Sequence, residues 1–98
     1  MLTQNEYYDL VNDLYDMART AAYRMDVRLR NISLNGGTMS TVEEDHTLKL
    51  ETTNYSETVL IPQVWFNKRH YYCFNIELRI EDALKVLKKK ELKSGTRP

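Results

Sequence analysis

The sequence predicts an α+β domain: an N-terminal helix, an antiparallel sheet of three to five strands and a C-terminal helix, with both helices on one face of the sheet. Three observations lead there. The first third of the chain repeats its apolar residues every three or four positions. The middle alternates apolar and polar residues between turn-forming clusters. The last stretch carries acids at its start and lysines at its end, as a helix does.

The first helix is expected over 3–30. Thr3 with Glu6 three positions on is a capping box, in which hydroxyl and carboxylate each satisfy an orphan backbone donor. Leu2 before the cap and Tyr7 after it fit a hydrophobic staple. Tyr7, Val11, Leu14, Ala18, Ala21 and Met25 form a heptad seam, widened by Leu10, Met17 and Ala22. Acids fill the first half of this segment and Arg19, Arg24, Arg28 and Arg30 the second, which complements the helix dipole. Val27 and Leu29 alternate with arginines, so the change to extended chain is placed near Asn31.

Asn35-Gly36-Gly37 is the best turn signal, because Asn and Gly tolerate positive φ. It should join a strand at 32–34 to a weaker one near 38–42, followed by an exposed loop at 43–46. Thr47–Thr53 reads as a strand with Leu48, Leu50 and Thr52 on one face, and Asn54-Tyr55-Ser56 as a turn. Glu57–Phe66 reads as a strand that Pro62 interrupts, splits or confines to an edge, since proline cannot donate to the ladder. Asn67–His70 is expected to turn. Tyr71–Arg79 reads as a strand with Tyr72, Phe74, Ile76 and Leu78 on one face. A second helix follows at about 80–93, with Ile80, Ala83, Leu84 and Leu87 as its apolar stripe and Ser94-Gly95 as its end; 94–98 should fray. The whole chain, 1–98, reads as one domain.

Composition limits the function classes. At 98 residues the chain supports one modest core, so self-association is the expected aid to stability. Cys73 is the single cysteine, which rules out an intrachain disulfide and suits a reducing, cytoplasmic setting. The N-terminal run has neither a basic nor an apolar region, so no secretory leader is expected, and no segment is apolar enough for a membrane span. Net charge is zero but uneven: residues 1–60 hold ten acids against five Lys/Arg, and residues 61–98 four acids against nine. A neutral chain disfavours bulk nucleic-acid affinity and leaves room for a local basic patch. The same asymmetry suits self-association, although two helices whose charges follow their dipoles also produce it.

Two clusters are candidates for binding. Glu6, Asp9, Asp13 and Asp16 share one face of the first helix beside Tyr8 and Tyr15. Tyr8, Asp9, Asp13, Tyr15 and Asp16 are therefore the candidate contact residues for a protein partner with a basic surface, since tyrosine offers contact area at little entropy cost. The plain alternative is a solvated helix face. The second cluster runs from Trp65 to Tyr72. Trp65, Lys68, Arg69, His70, Tyr71 and Tyr72 interleave aromatics with cations at a predicted hairpin tip, a pattern able to stack bases and meet phosphates. Its plain alternative is core aromatics on a charged tip. The lysines closing the second helix are an ordinary helix terminus or an extension of that patch.

Catalytic chemistry is not expected. His70 and Cys73, three apart in a strand, would point to opposite faces. Glu43-Glu44-Asp45-His46 is contiguous and lacks the spacing and glycine turn of a cation loop. No phosphate loop, dinucleotide fingerprint, zinc spacing or nucleophile elbow is present, so no metal or cofactor is assigned. The helix–strands–helix order is similar to that of double-stranded-RNA-binding domains. That resemblance would imply a lysine-rich opening to the second helix, where this sequence has Ile80-Glu81-Asp82-Ala83. Small phage-borne inhibitors share such layouts without a common motif. The expected function is accordingly a non-enzymatic regulator or inhibitor that docks on a protein and self-associates, with nucleic-acid or nucleotide binding at 65–72 as the alternative.

Overall fold

A computed structural model describes residues 4–35 and 45–95. Helix α1 spans Gln4–Met25. Strands β1 (Asn31–Leu34), β2 (His46–Glu51) and β3 (Ser56–Ile61) form an antiparallel sheet in the order β1-β2-β3. A short helix α2 (Gln63–Asn67) then leads into the 27-residue helix α3 (Arg69–Gly95). The predicted α+β architecture is present.

The seam of α1 is core. Leu10, Leu14, Ala18, Ala21 and Ala22 are buried, with Val11, Met17 and Met25 packed beside them. The helix ends earlier than its charge pattern implied. Asp26 takes a left-handed φ of 57°. The Val27 amide bonds the Ala22 carbonyl at 2.9 Å, and the Asp26 amide bonds that of Tyr23 at 3.2 Å. This is a Schellman cap, and the buried Val27 and Ala22 provide its hydrophobic contact. Val27–Leu29 is thus already outside the helix. The capping box at Thr3 lies outside the described residues.

In β2, Leu48, Leu50 and, past the strand end, Thr52 point inward, while Thr47 and Lys49 face solvent. Register pairs Leu34 with Leu48 in β1–β2, and Leu48 with Val59 in β2–β3. Asn35 takes the positive φ (53°) expected of the turn, whereas Gly36-Gly37, the weak strand near 38–42 and Glu43-Glu44 lie outside the described residues. The turn after β2 is closed by Thr52, whose amide bonds the Tyr55 carbonyl at 2.8 Å.

Two predicted strands are corrected. β3 stops at Ile61, and Pro62, with φ −60° and ψ 144°, caps α2. Proline breaks a ladder but is harmless at a helix start, where its missing N–H would be unpaired anyway. The segment Tyr71–Arg79 is helix, continuous with the predicted second helix at 80–93. Tyr72, Ile76, Ile80, Leu84 and Leu87 recur every three or four residues, and no Gly, Pro or Asn interrupts the run from Ile76 to Lys93. A strand ending at Arg79 would need a turn there, and the sequence has none. The expected turn at Asn67–His70 is the junction between α2 and α3, where the Lys68 carbonyl accepts from the Tyr71 and Tyr72 amides at 2.9 and 3.0 Å.

Both helices cover the inner face of the sheet. Ile76, Ile80, Ala83, Leu84 and Leu87 of α3 join the α1 seam and the inward residues of the strands in one core. Arg24 clamps the two helices by reaching Glu81 at 3.0 Å and Glu77 at 3.7 Å, and Lys88 Nζ donates to the Met25 carbonyl at 2.7 Å.

Candidate functional site

The acidic residues of α1 stand where their spacing put them. Asp9, Asp13 and Asp16 are exposed on the side of α1 away from the core, and Tyr8 is about half exposed. Tyr15 is different: it packs against the core, with the Arg19 guanidinium 5.5 Å from its ring centroid. Arg19 also pairs with Asp16 at 3.4 Å, so one acid of the stripe is screened by its own neighbour. The outward face is an acidic strip with Tyr8 beside it.

The aromatic-basic cluster is a helix corner, not a hairpin tip. Trp65 on α2 packs against the core and stacks on Tyr72, with ring centroids 5.7 Å apart and planes 14° apart. Tyr71 meets Tyr72 edge-on at 4.9 Å. Arg79 lies 4.5 Å from the Trp65 centroid and donates to the Leu60 carbonyl at 2.6 Å. Tyr72 and Arg79, two turns apart, share a side of α3, and the turn at Lys68 between the helices sets Trp65 of α2 against both. Sequence reasoning missed Arg79 by reading that stretch as strand. The Trp65 ring is therefore engaged by Tyr72 and Arg79, while Lys68 and Tyr71 reach solvent. Arg69 and His70 open α3; their side chains are outside what the structure describes.

The second helix therefore begins at Arg69, and Glu81 and Asp82 sit in its middle. The contrast drawn between those acids and a lysine-rich helix opening loses its position.

A polar node missed by the sequence reading lies at the end of the sheet where β2 begins. His46 is fully buried. The Thr47 amide donates to Asn35 Oδ1 at 3.0 Å, which fixes the Asn35 amide so that Nδ2 faces His46 Nδ1 at 2.8 Å. Nδ1 must then accept, so Nε2 carries the proton and donates to Gln63 Oε1. The node ties the ends of β1, β2 and α2 and uses both ring nitrogens. His46 is consequently turned away from any pairing with Asp45 as cation ligands, and no group of three or more His, Cys, Asp or Glu is gathered among the described residues.

Cys73 is exposed on α3. Its partner in the strand argument, His70, shares a helix with it instead. An open cleft of about 520 Å³ lies between the end of α1, the β2–β3 turn and α3, lined in part by Arg28, Thr52, Lys88 and Glu91. Lys88 is bonded to Met25 and Glu91 to Asn54, so these side chains brace the fold.

Among the described residues, α3 exposes an apolar stripe. Tyr71, Phe74 and Leu78, spaced by three and four, are 79%, 64% and 42% exposed and line the face opposite the buried stripe. No described helix is long and apolar enough to cross a membrane.

Compared with known proteins, the chain matches no family model, no curated protein and no solved structure.

Proposed function

We propose that this protein is a non-enzymatic docking protein, a regulator or inhibitor that acts by binding another protein surface in the cytoplasm. The observation that carries the reading is the Tyr71–Phe74–Leu78 stripe: three large apolar side chains in line on a rigid helix, on the side away from the core. Rigid helix faces with i, i+3, i+7 anchors are a recurring mode of recognition, and clustered exposed apolar side chains mark interaction sites more often than scattered ones. The acidic face of α1, with Tyr8, supplies a second contact surface of opposite character. The exposed Cys73 thiol fits a reducing compartment.

The test is chemical cross-linking in the source cells, comparing the wild type with a Tyr71→Ser, Phe74→Ser, Leu78→Ser variant of unchanged circular dichroism. Cross-links to protein, whether to another chain of this kind or to a different one, should be lost in the variant. A cross-linking pattern that survives the triple change would sink the reading.

A second reading, nucleic-acid contact at the α2–α3 corner, is favoured by the exposure of Lys68 and Tyr71 beside Arg69 at the start of a long helix. It predicts binding to single-stranded oligonucleotides that weakens with salt and falls on Lys68→Ala with Arg69→Ala. Retention after both changes removes it.

A further inference from the structure

The exposed stripe does not end at Leu78. Tyr71, Asn75, Leu78, Asp82, Lys85 and Lys89 follow one another at alternating spacings of four and three, and Leu92 completes the series. That is heptad spacing, apolar at Tyr71, Leu78 and Leu92 and polar between Leu78 and Leu92, and every member is exposed. It lies opposite Ile76, Ile80, Leu84 and Leu87, which face the core. α3 thus carries two seams: one closes the fold and the other is open along its length.

The charges along α3 sort themselves by side. Those flanking the core are engaged: Glu77 and Glu81 with Arg24, Lys88 with the Met25 carbonyl, Lys90 with Glu57 at 3.0 Å, and Glu91 with Asn54. Asp82, Lys85 and Lys89 on the outer seam make no ion pair or side-chain hydrogen bond among the described residues. On the β3 side the seam is bordered by a shallow groove of about 250 Å³, which Leu60 and Val86 help to line.

We propose that the outer seam of α3 is a self-association surface whose occupant is the same seam of a second copy, running antiparallel. This rests on the docking reading and names what docks there. The order of the charges along the seam selects that direction. With a two-fold axis crossing between residues 83 and 84, Asp82 of each copy faces Lys85 of the other, so the complementary pair forms twice. Leu78 then faces the aliphatic stem of Lys89, and Phe74 with Asn75 faces Leu92. A parallel arrangement would instead set Asp82 on Asp82, Lys85 on Lys85 and Lys89 on Lys89, repelling at three successive layers. The seam is self-complementary in one direction and self-repelling in the other.

The experiment is molecular mass by light scattering and sedimentation over a micromolar concentration series, on a Cys73→Ser background so that the exposed thiol cannot link chains. The expected result is a reversible dimer. Asp82→Lys alone, or Lys85→Asp alone, should weaken it by about tenfold or more, and the double swap should restore it. Both positions are exposed, so the variants should fold, which circular dichroism checks. A monomer throughout overturns the proposal, as does a dimer indifferent to either reversal or one that the double swap fails to rescue. A monomer that still cross-links to a different protein through Tyr71, Phe74 and Leu78 keeps the docking function and removes self-association. A dimer with no cross-link to any other protein assigns the stripe to the second copy alone.

Discussion

Asp26 and His46 are residues whose conformations follow from what surrounds them. Asp26 is held at φ 57° because the Schellman bonds at the end of α1 require a left-handed residue at that position. A side chain there costs about 1 kcal/mol relative to glycine, which has no Cβ to crowd the following carbonyl. Asp26→Gly should therefore raise stability by about that amount and the melting temperature by roughly 4–8 °C, as thermal unfolding will show. A lower melting temperature would mean that the carboxylate does something the cap geometry does not explain. His46 has the opposite character. Its ring bridges Asn35 and Gln63 inside the fold, so His46→Ala leaves a cavity and two amides short of a partner. The expected loss is about 2–4 kcal/mol in urea unfolding, and a change below about 0.5 kcal/mol would show that water replaces the ring without penalty.

Among the elements, α3 contradicts its own local pattern. Tyr72, Phe74, Ile76 and Leu78 alternate as a strand would, yet Tyr72, Ile76 and Ile80 also repeat as a helix would. Over nine residues the two periods fit equally well. The helical one extends to Leu87 without a breaker, and a strand could not pass into a helix at Arg79–Ile80 without a turn. The outcome is testable side chain by side chain. In a strand Phe74 and Ile76 would share a buried face; in α3 Ile76 is buried and Phe74 exposed. Ile76→Ala should cost about 2–4 kcal/mol and Phe74→Ala, measured at the lowest usable concentration, under about 0.5 kcal/mol. Equal losses would restore the strand reading. The free side of β3 is also managed by α3: Arg79 occupies the Leu60 carbonyl and Lys90 holds Glu57, which blunts an edge that would otherwise offer its backbone to other chains.

At the scale of the whole molecule, a single core joins α1, the inner sheet face and α3, and it consumes the α1 seam. The heptad of α1 suggested self-association, but Leu14, Ala18 and Ala21 are among the most buried residues of the fold. Three alanines on that seam allow α1 to lie close against its neighbours. Leu14→Asp places a charge inside this core, and its cost of about 5 kcal/mol or more approaches the whole stability of a chain this size. The variant should be unfolded at room temperature by circular dichroism. A folded Leu14→Asp variant would show that this end of α1 is loosely attached. With the α1 seam committed to the core, the outer face of α3 and the acidic face of α1 are the exposed helix surfaces on which the proposed docking rests.

The sequence by itself determined the elements whose signals are local. Period and charge order marked α1, alternation marked β2, and Asn35 has the positive φ that the predicted turn asks of it, the rest of that turn lying outside the described residues. The acidic strip of α1 was equally legible, since helical spacing alone places Asp9, Asp13 and Asp16 together. Only the tertiary structure decided the rest, because those features depend on which neighbours exist. Whether residues 71–79 are helix or strand turned on a core that rewards Ile76, Ile80 and Leu84 on one face. The fate of Trp65 turned on Tyr72 and Arg79 arriving beside it, and the burial of His46 on Asn35 and Gln63, which are distant in sequence. A short stretch of chain can carry two periods at once, and burial, a property of the whole molecule, selects between them.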